Sequence, residues 1–147
     1  MYLTYADYQA MGGTLPEATF NDYEFQAEAL INWYTFNRLK TAVTFPPEVP
    51  RCMYSLIGII QLQADAYTLG NSDNSGASSA GIASQSNDGV SVSYNVIRAQ
   101  DIDSVASAKA KTLIQNMLNG VTNELGQNLL YRGLYPNERY VQRNTED

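Results

Sequence analysis

The 147-residue sequence contains no histidine. Histidine is the usual general base near neutral pH and a frequent ligand for zinc, copper and non-haem iron. Its absence excludes Ser-His-Asp and Cys-His catalysis and any His-based metal site. An enzyme built on this chain would work with carboxylates, lysines or tyrosines alone. Cysteine is nearly absent as well: Cys52 stands alone, so no internal disulfide forms and synthesis in a reducing cytoplasm is expected. With Arg51 beside it at the start of an apolar helix, Cys52 reads either as a thiol of lowered pKa or, preferably, as a small buried hydrophobe.

Charge is scarce too. Charged residues make up 16% of the chain, against about 25% in an ordinary soluble domain. Nine basic and fifteen acidic residues give a net charge of −6. The basic residues are scattered, which excludes a dedicated duplex-DNA binder and an anionic-membrane binder. Long apolar runs are missing: the stretch from Met53 to Leu62 is interrupted by Ser55, Gly58 and Gln61 and falls far short of a membrane span. The opening Met1-Tyr2-Leu3-Thr4-Tyr5-Ala6-Asp7 lacks the basic start and apolar centre of a signal peptide. No glycine stretch leads into Gly-Lys-Ser/Thr, so a phosphate-binding P-loop is excluded.

What is present suits one domain. The chain is 44% hydrophobic, and a chain of this length buries roughly 70% of its unfolded surface. Eleven tyrosines and many Ser, Asn, Gln and Thr residues fill the place of the missing charge. Thr4, with Asp7 three residues on, caps a short first helix that Gly12-Gly13 stops. Thr14 is expected to cap a second helix with Pro16 and Glu17 in its first turn. Its apolar face is Phe20, Tyr23, Ala27, Leu30, Ile31 and Tyr34, and it is expected to reach Leu39 or Lys40, where Arg38 suits its negative end.

Phe45-Pro46-Pro47 then breaks the chain. The spacing predicts a third helix over 48–67, with Pro50 in its first turn and a stripe of Val49, Met53, Leu56, Ile57, Ile60, Ala64 and Tyr67. Ile59 and Leu62 widen that stripe, which marks this helix as the central one, and Gly70 is the expected stop. Residues 70–81 read as a Gly/Ser/Asn linker. The period then changes to two: Ile82–Ser86 and Val90–Tyr94 flank Asn87-Asp88-Gly89, a hairpin signal. A fourth helix is expected after Asp101 or Asp103, with Ile102, Val105, Leu113, Ile114, Met117, Leu118 and Val121 as its apolar positions. The segment from Leu129 to Pro136 is apolar and aromatic without a helical period. The expected fold is therefore mainly α: a small bundle of about four helices with one β-hairpin and an extended C-terminal arm. Residues 1–128 form the helical domain, with linker 70–81 and hairpin 82–94, and residues 129–147 form a docking arm.

Candidate chemistry is thin. Glu24 and Glu28, four residues apart, offer a carboxylate pair or a hard-cation site, but a solvated helix face is the simpler expectation. The Asn71–Gly76 segment echoes the start of a calcium loop, and the required glutamate at its twelfth position is Ile82. Tyr23, Tyr34 and Tyr67 fall on helix faces and are expected in the core. Tyr131, Tyr135 and Tyr140 lie outside any amphipathic pattern and suit an interface.

The order of these elements resembles a known family. A short helix ending in Gly-Gly precedes a helix ending Ile31-Asn32-Trp33-Tyr34-Thr35-Phe36-Asn37-Arg38-Leu39. A third apolar helix and a Gly/Ser linker lead to Gly81-Ile82-Ala83-Ser84-Gln85-Ser86-Asn87-Asp88-Gly89-Val90-Ser91-Val92-Ser93-Tyr94, then a final helix and Leu130-Tyr131-Arg132-Gly133-Leu134. Over nearly its whole length the chain resembles the head–tail connector (adaptor, or head-completion) proteins of long-tailed bacteriophages and related prophages. The resemblance implies a structural, non-enzymatic subunit without cofactor, made in the bacterial host cytoplasm and located at the head–tail interface of the virion. It implies a ring, usually twelvefold, beneath the portal protein, through which DNA passes without specific binding. A stopper or further connector would dock below.

In that family the C-terminal segment commonly reaches the portal, which makes Leu130, Tyr131, Arg132, Gly133, Leu134 and Tyr135 the candidate portal contacts. The Pro136 turn is this chain's own departure. Ring contacts are heterologous, so each subunit needs two different sticky surfaces. The hairpin, through Ile82, Val90, Val92 and Tyr94, and the face of a long helix are the expected pair, and an acidic subunit suits a channel in which DNA must slide. Two other classes remain open: a carboxylate-only enzyme using Glu24, Glu28 or Asp65, and a monomeric binding module or other tail-completion protein.

Overall fold

The computed structural model describes the backbone of residues 1–72, 84–87, 90–93 and 99–133, with side chains over 1–68 and 101–133. The architecture is mainly helical: α1 (Tyr5–Ala10), α2 (Glu17–Tyr34), α3 (Glu48–Ser72) and, after the strands, α4 (Ala99–Met117). Strand β1 (Ser84–Asn87) pairs antiparallel with β2 (Val90–Ser93), placing Val90 opposite Asn87 and Val92 opposite Gln85. Ile82, Tyr94, the Asp88-Gly89 turn and residues 73–81 of the expected linker lie outside the described residues.

The start of the chain follows its local signals. Thr4 Oγ1 accepts the Asp7 N–H at 3.1 Å and caps α1. Gly12, at φ 94°, turns the chain in the left-handed region. Gly13 then runs against the ring of the buried Tyr8, so that a Cβ there would overlap the ring. Tyr8 packs on Phe20 and Tyr54 with ring centroids 4.8 and 5.5 Å away. Tyr2 meets Phe45 edge-on at 4.8 Å. The aromatic core is thus gathered by the N-terminal segment, while Tyr23 and Tyr34 only flank it, half-buried.

Helix α3 is the centre. It packs on α2 on one side and α4 on the other, while α2 and α4 touch each other little. Gln63 and Tyr67, late in α3, both donate to Asp103, early in α4, so these two helices run antiparallel. Val49, Cys52, Met53, Leu56, Ile57 and Ile60 are buried with Phe20, Ala27, Ile31, Ile114 and Leu118. Burial pushes the Cys52 thiol up to about 12, which makes it a core side chain rather than an activated nucleophile.

Four boundaries differ from expectation. Thr14 is exposed and lies outside α2, whose N-cap is Pro16, with the Phe20 N–H bonding the Pro16 carbonyl. Helix α2 ends at Tyr34, five residues short of Leu39, because Phe36 and Asn37 adopt φ of 55° and 59°. Helix α3 continues through Gly70 to Ser72; a glycine costs a helix about 1 kcal/mol against alanine but does not forbid it. Helix α4 begins at Ala99, which puts Asp101 in its first turn, where a carboxylate suits the positive end of the helix dipole.

The packing of Tyr8 on Gly13 gives a direct test. Gly13→Ala is expected to destabilise the fold by about 1–3 kcal/mol, the usual cost of overpacking a filled site. Urea unfolding followed by far-UV circular dichroism measures it.

Candidate functional site

The site is built where α2 ends. Thr35 is fully buried; its N–H and its hydroxyl both donate to the Ile31 carbonyl, at 2.9 and 2.8 Å. Two left-handed residues follow. Asparagine tolerates that region; for phenylalanine it is a strained choice that the surroundings must hold. The Asn37 N–H reaches back to the Asn32 carbonyl at 2.9 Å and closes the helix end. This reversal turns Arg38 and Leu39 inward, where both are buried, and leaves Trp33 and Phe36 outside.

The inward Arg38 meets the end of the described chain. Past α4, Gly120 and Gly126 take positive φ, and Asn123 and Gln127 close a tight loop through paired backbone and side-chain bonds. Thr122 bridges to Asn128, and Leu129 is fully buried in the core. Arg38 Nη1 then donates to the carbonyls of Asn128, Leu129 and Tyr131 at 3.2, 3.3 and 2.6 Å. Its Nη2 donates to the Gly133 carbonyl at 2.8 Å. The guanidinium also sits 5.2 Å from the centroid of the Phe36 ring, within range of cation–π attraction. A planar, permanently charged fork with five N–H groups can serve several carbonyls at once, which an ammonium cannot match. The Gly133 backbone passes so close to the Tyr131 ring that a Cβ there would overlap it.

The result is an aromatic surface with a basic rim. Trp33 is 78% exposed, Tyr131 53% and Phe36 47%. Trp33 and Phe36 border a groove of about 810 Å³ between the end of α2, Gln115 of α4 and the clamped segment, with Lys40 and Arg132 on its edge. Of the candidate portal contacts, Leu130 is half-buried against the core, Tyr131 and Arg132 are exposed and Gly133 is held by Arg38. Leu134, Tyr135 and Tyr140 lie outside the described residues. The arm expected from residue 129 is therefore tied to the helical body as far as Gly133.

The expected solvated carboxylate face is corrected in part. Glu24 is buried and accepts the Tyr2 N–H at 2.9 Å, and Asn32 accepts the Tyr2 hydroxyl at 2.6 Å. Burial raises the Tyr2 phenol pKa. Glu28 pairs with the Met1 amine at 2.7 Å. Asp65 is exposed on α3. Elsewhere Glu124 accepts from the Thr44 hydroxyl at 2.7 Å and from the Thr44 N–H, and these bonds hold its carboxyl below the usual range. Among the described residues no three His, Cys, Asp or Glu side chains are grouped to hold a metal ion, and no helix is long and apolar enough to cross a membrane.

Arg38 as a clamp, and Trp33 and Phe36 as exposed surface, were not legible individually, although all three fall in the Trp33–Leu39 stretch that carries the family resemblance. No family model, curated protein or solved structure matches the chain.

Two predictions follow from this geometry. Arg38→Ala leaves several carbonyls without their donor and is expected to destabilise the fold by about 1–3 kcal/mol. Trypsin cleavage after Arg132 should then accelerate by about tenfold or more, since cleavage tracks the free energy of local opening. Because the Glu124 pKa is lowered on folding, its contribution is present above the ordinary carboxylate pKa and is lost as pH falls through the folded value. Hydrogen exchange should show the Thr44 amide protected near neutral pH and unprotected in acid, and unprotected throughout in Glu124→Ala.

Proposed function

We propose that this chain is a structural virion protein, a head–tail connector (adaptor) that forms a ring below the portal, extends the DNA channel and offers the platform for a stopper or the next connector. The observation that carries the proposal is the Arg38 clamp. One of the two most specific pieces of the family resemblance, Tyr34 to Leu39, contains the guanidinium that fixes the backbone at Asn128 and Leu129 and, within the candidate portal-contact segment, at Tyr131 and Gly133. Tyr131 and Arg132 are left exposed, and Arg132 shares a groove with Trp33 and Phe36. Exposed Tyr, Trp and Arg on a prearranged backbone are the residue types that anchor protein interfaces.

The hairpin serves the ring in this proposal. A two-stranded sheet is marginal by itself, and β1 and β2 form one. Val90 and Val92 share one face of β2 by its period of two, with Ser91 and Ser93 on the other. A neighbouring subunit is the proposed cover for the valine face. Against the carboxylate-enzyme alternative stands the engagement of Glu24 and Glu28 by the N-terminal residues.

The test is the native mass of the chain mixed with the portal protein of its own virion. Many copies per portal assembly are expected, and Tyr131→Ala should weaken the binding. Val92→Lys should impair ring formation while leaving far-UV helical content unchanged. A chain that never joins the portal contradicts the proposal and favours a free binding module.

A further inference from the structure

We infer that the apolar face between α2 and α4, which the other described residues leave uncovered, docks a second copy of this chain, two-fold and antiparallel. Resting on the connector reading, this pairing masks the Trp33 and Arg132 end until the portal displaces it. The face begins with the three-helix layer. Helix α3 lies between α2 and α4, and over it lie two hollows besides the aromatic groove. One, of about 410 Å³, is lined by Phe25, Leu30, Ile59 and Ala106 among others. The other, of about 280 Å³, is lined by Leu62, Ala66, Ile102 and Val105 among others. The two hollows share Ile59, Gln63 and Ala106, and the larger shares Ala29 with the aromatic groove.

The three depressions therefore form one band along α4 from Ile102 to Gln115, roughly 20 Å long at 1.5 Å per residue. Its width is that of two helix spacings, about 16–20 Å. Phe25 is 75% exposed, Leu62 66% and Val105 52%. Single exposed hydrophobes need no explanation, but a contiguous band of them marks an interaction surface. Two faces of this size bury on the order of 600–800 Å² together, below the standard specific interface, so the pairing is a weak and reversible one.

Charge identifies the occupant. One end of the band carries exposed carboxylates: Asp101 lines the hollow, Asp22 stands one turn before Phe25 and Asp65 one turn after Leu62. The other end carries the exposed cations Lys40 and Arg132, with Lys109 lying between. A second copy turned by a two-fold axis lying in the plane of the face and crossing the band at right angles places its acidic end over the basic end, and does so twice. Both ends belong to one side of the layer, so face-to-face pairing satisfies them together, and a parallel arrangement would oppose like charges.

The experiment uses the full chain in a concentration series read by sedimentation and by the emission of Trp33, its one tryptophan. A concentration-dependent dimer is expected, with a blue shift as Trp33 is covered. The double variant Lys40→Glu with Arg132→Glu should weaken dimerisation about tenfold, and Asp65→Lys with Asp101→Lys should do the same. All four positions are exposed, so the fold should survive. An equimolar mixture of the two double variants should restore the dimer, because each acidic end then meets a basic one. A monomer at every concentration overturns the inference, as does a dimer indifferent to both charge reversals or a mixture that stays monomeric. A monomer whose Trp33 already emits to the blue overturns it in favour of an occupant from the chain's own remaining residues. A free monomer that still builds rings on the portal removes the pairing and leaves the connector function intact. A dimer that ignores the portal removes the masking role and the connector function together.

Discussion

One buried guanidinium joins the end of α2 to the last described residues of the chain. A cation taken out of water must be hydrogen-bonded to be tolerated, and Arg38 meets that demand with backbone carbonyls 90 to 95 residues further along. The left-handed conformations of Phe36 and Asn37 belong to the same constraint. Had α2 run on to Leu39 as a regular helix, the chain would not reverse to send Arg38 inward beside Leu39. The helix end, the buried Leu129 and the course of the segment to Gly133 thus stand or fall together.

The other end of the chain is captured in a similar way. Glu24 takes a backbone N–H and Asn32 a phenol from Tyr2, while Glu28 takes the Met1 amine. Helix α2 therefore receives the N-terminal residues along its length and the C-terminal segment at its end. Helix α3 supplies the apolar floor. Polar side chains that a surface helix would turn to water here fasten chain segments to the body, and the exposed side of the layer is correspondingly apolar at Phe25, Trp33, Leu62 and Val105.

These differences explain what the sequence could reveal. Thr4 with Asp7, the Gly12-Gly13 stop and the α3 stripe act within a turn or two, and such local signals leave a residue pattern. The end of α2 carries neither glycine nor proline, and only Asn37 hints at a left-handed residue. Gly70 gave a stop signal that the helix overrode. Glu24 and Arg38 were misjudged for one reason: their partners are backbone groups far away in the chain, and every residue carries such groups. A long-range bond to a carbonyl leaves no signature at the carbonyl's position. The aromatic surface was half legible, since Tyr131 lacked a helical period and read as interface, whereas Trp33 and Phe36 read as parts of a helix.

The proposed connector function rests on prearrangement: a clamped segment presents Tyr131 and Arg132 on fixed backbone, with Arg132 on the groove that two exposed aromatic rings border, so docking on a portal would not also have to order that segment. Nuclear magnetic resonance of the Arg38 side chain tests the clamp most directly. A guanidinium held by several carbonyls should show separate, slowly exchanging Nη1 and Nη2 proton signals, in contrast to the exposed Arg132. A single averaged Arg38 signal, indistinguishable from that of Arg132, would contradict the account.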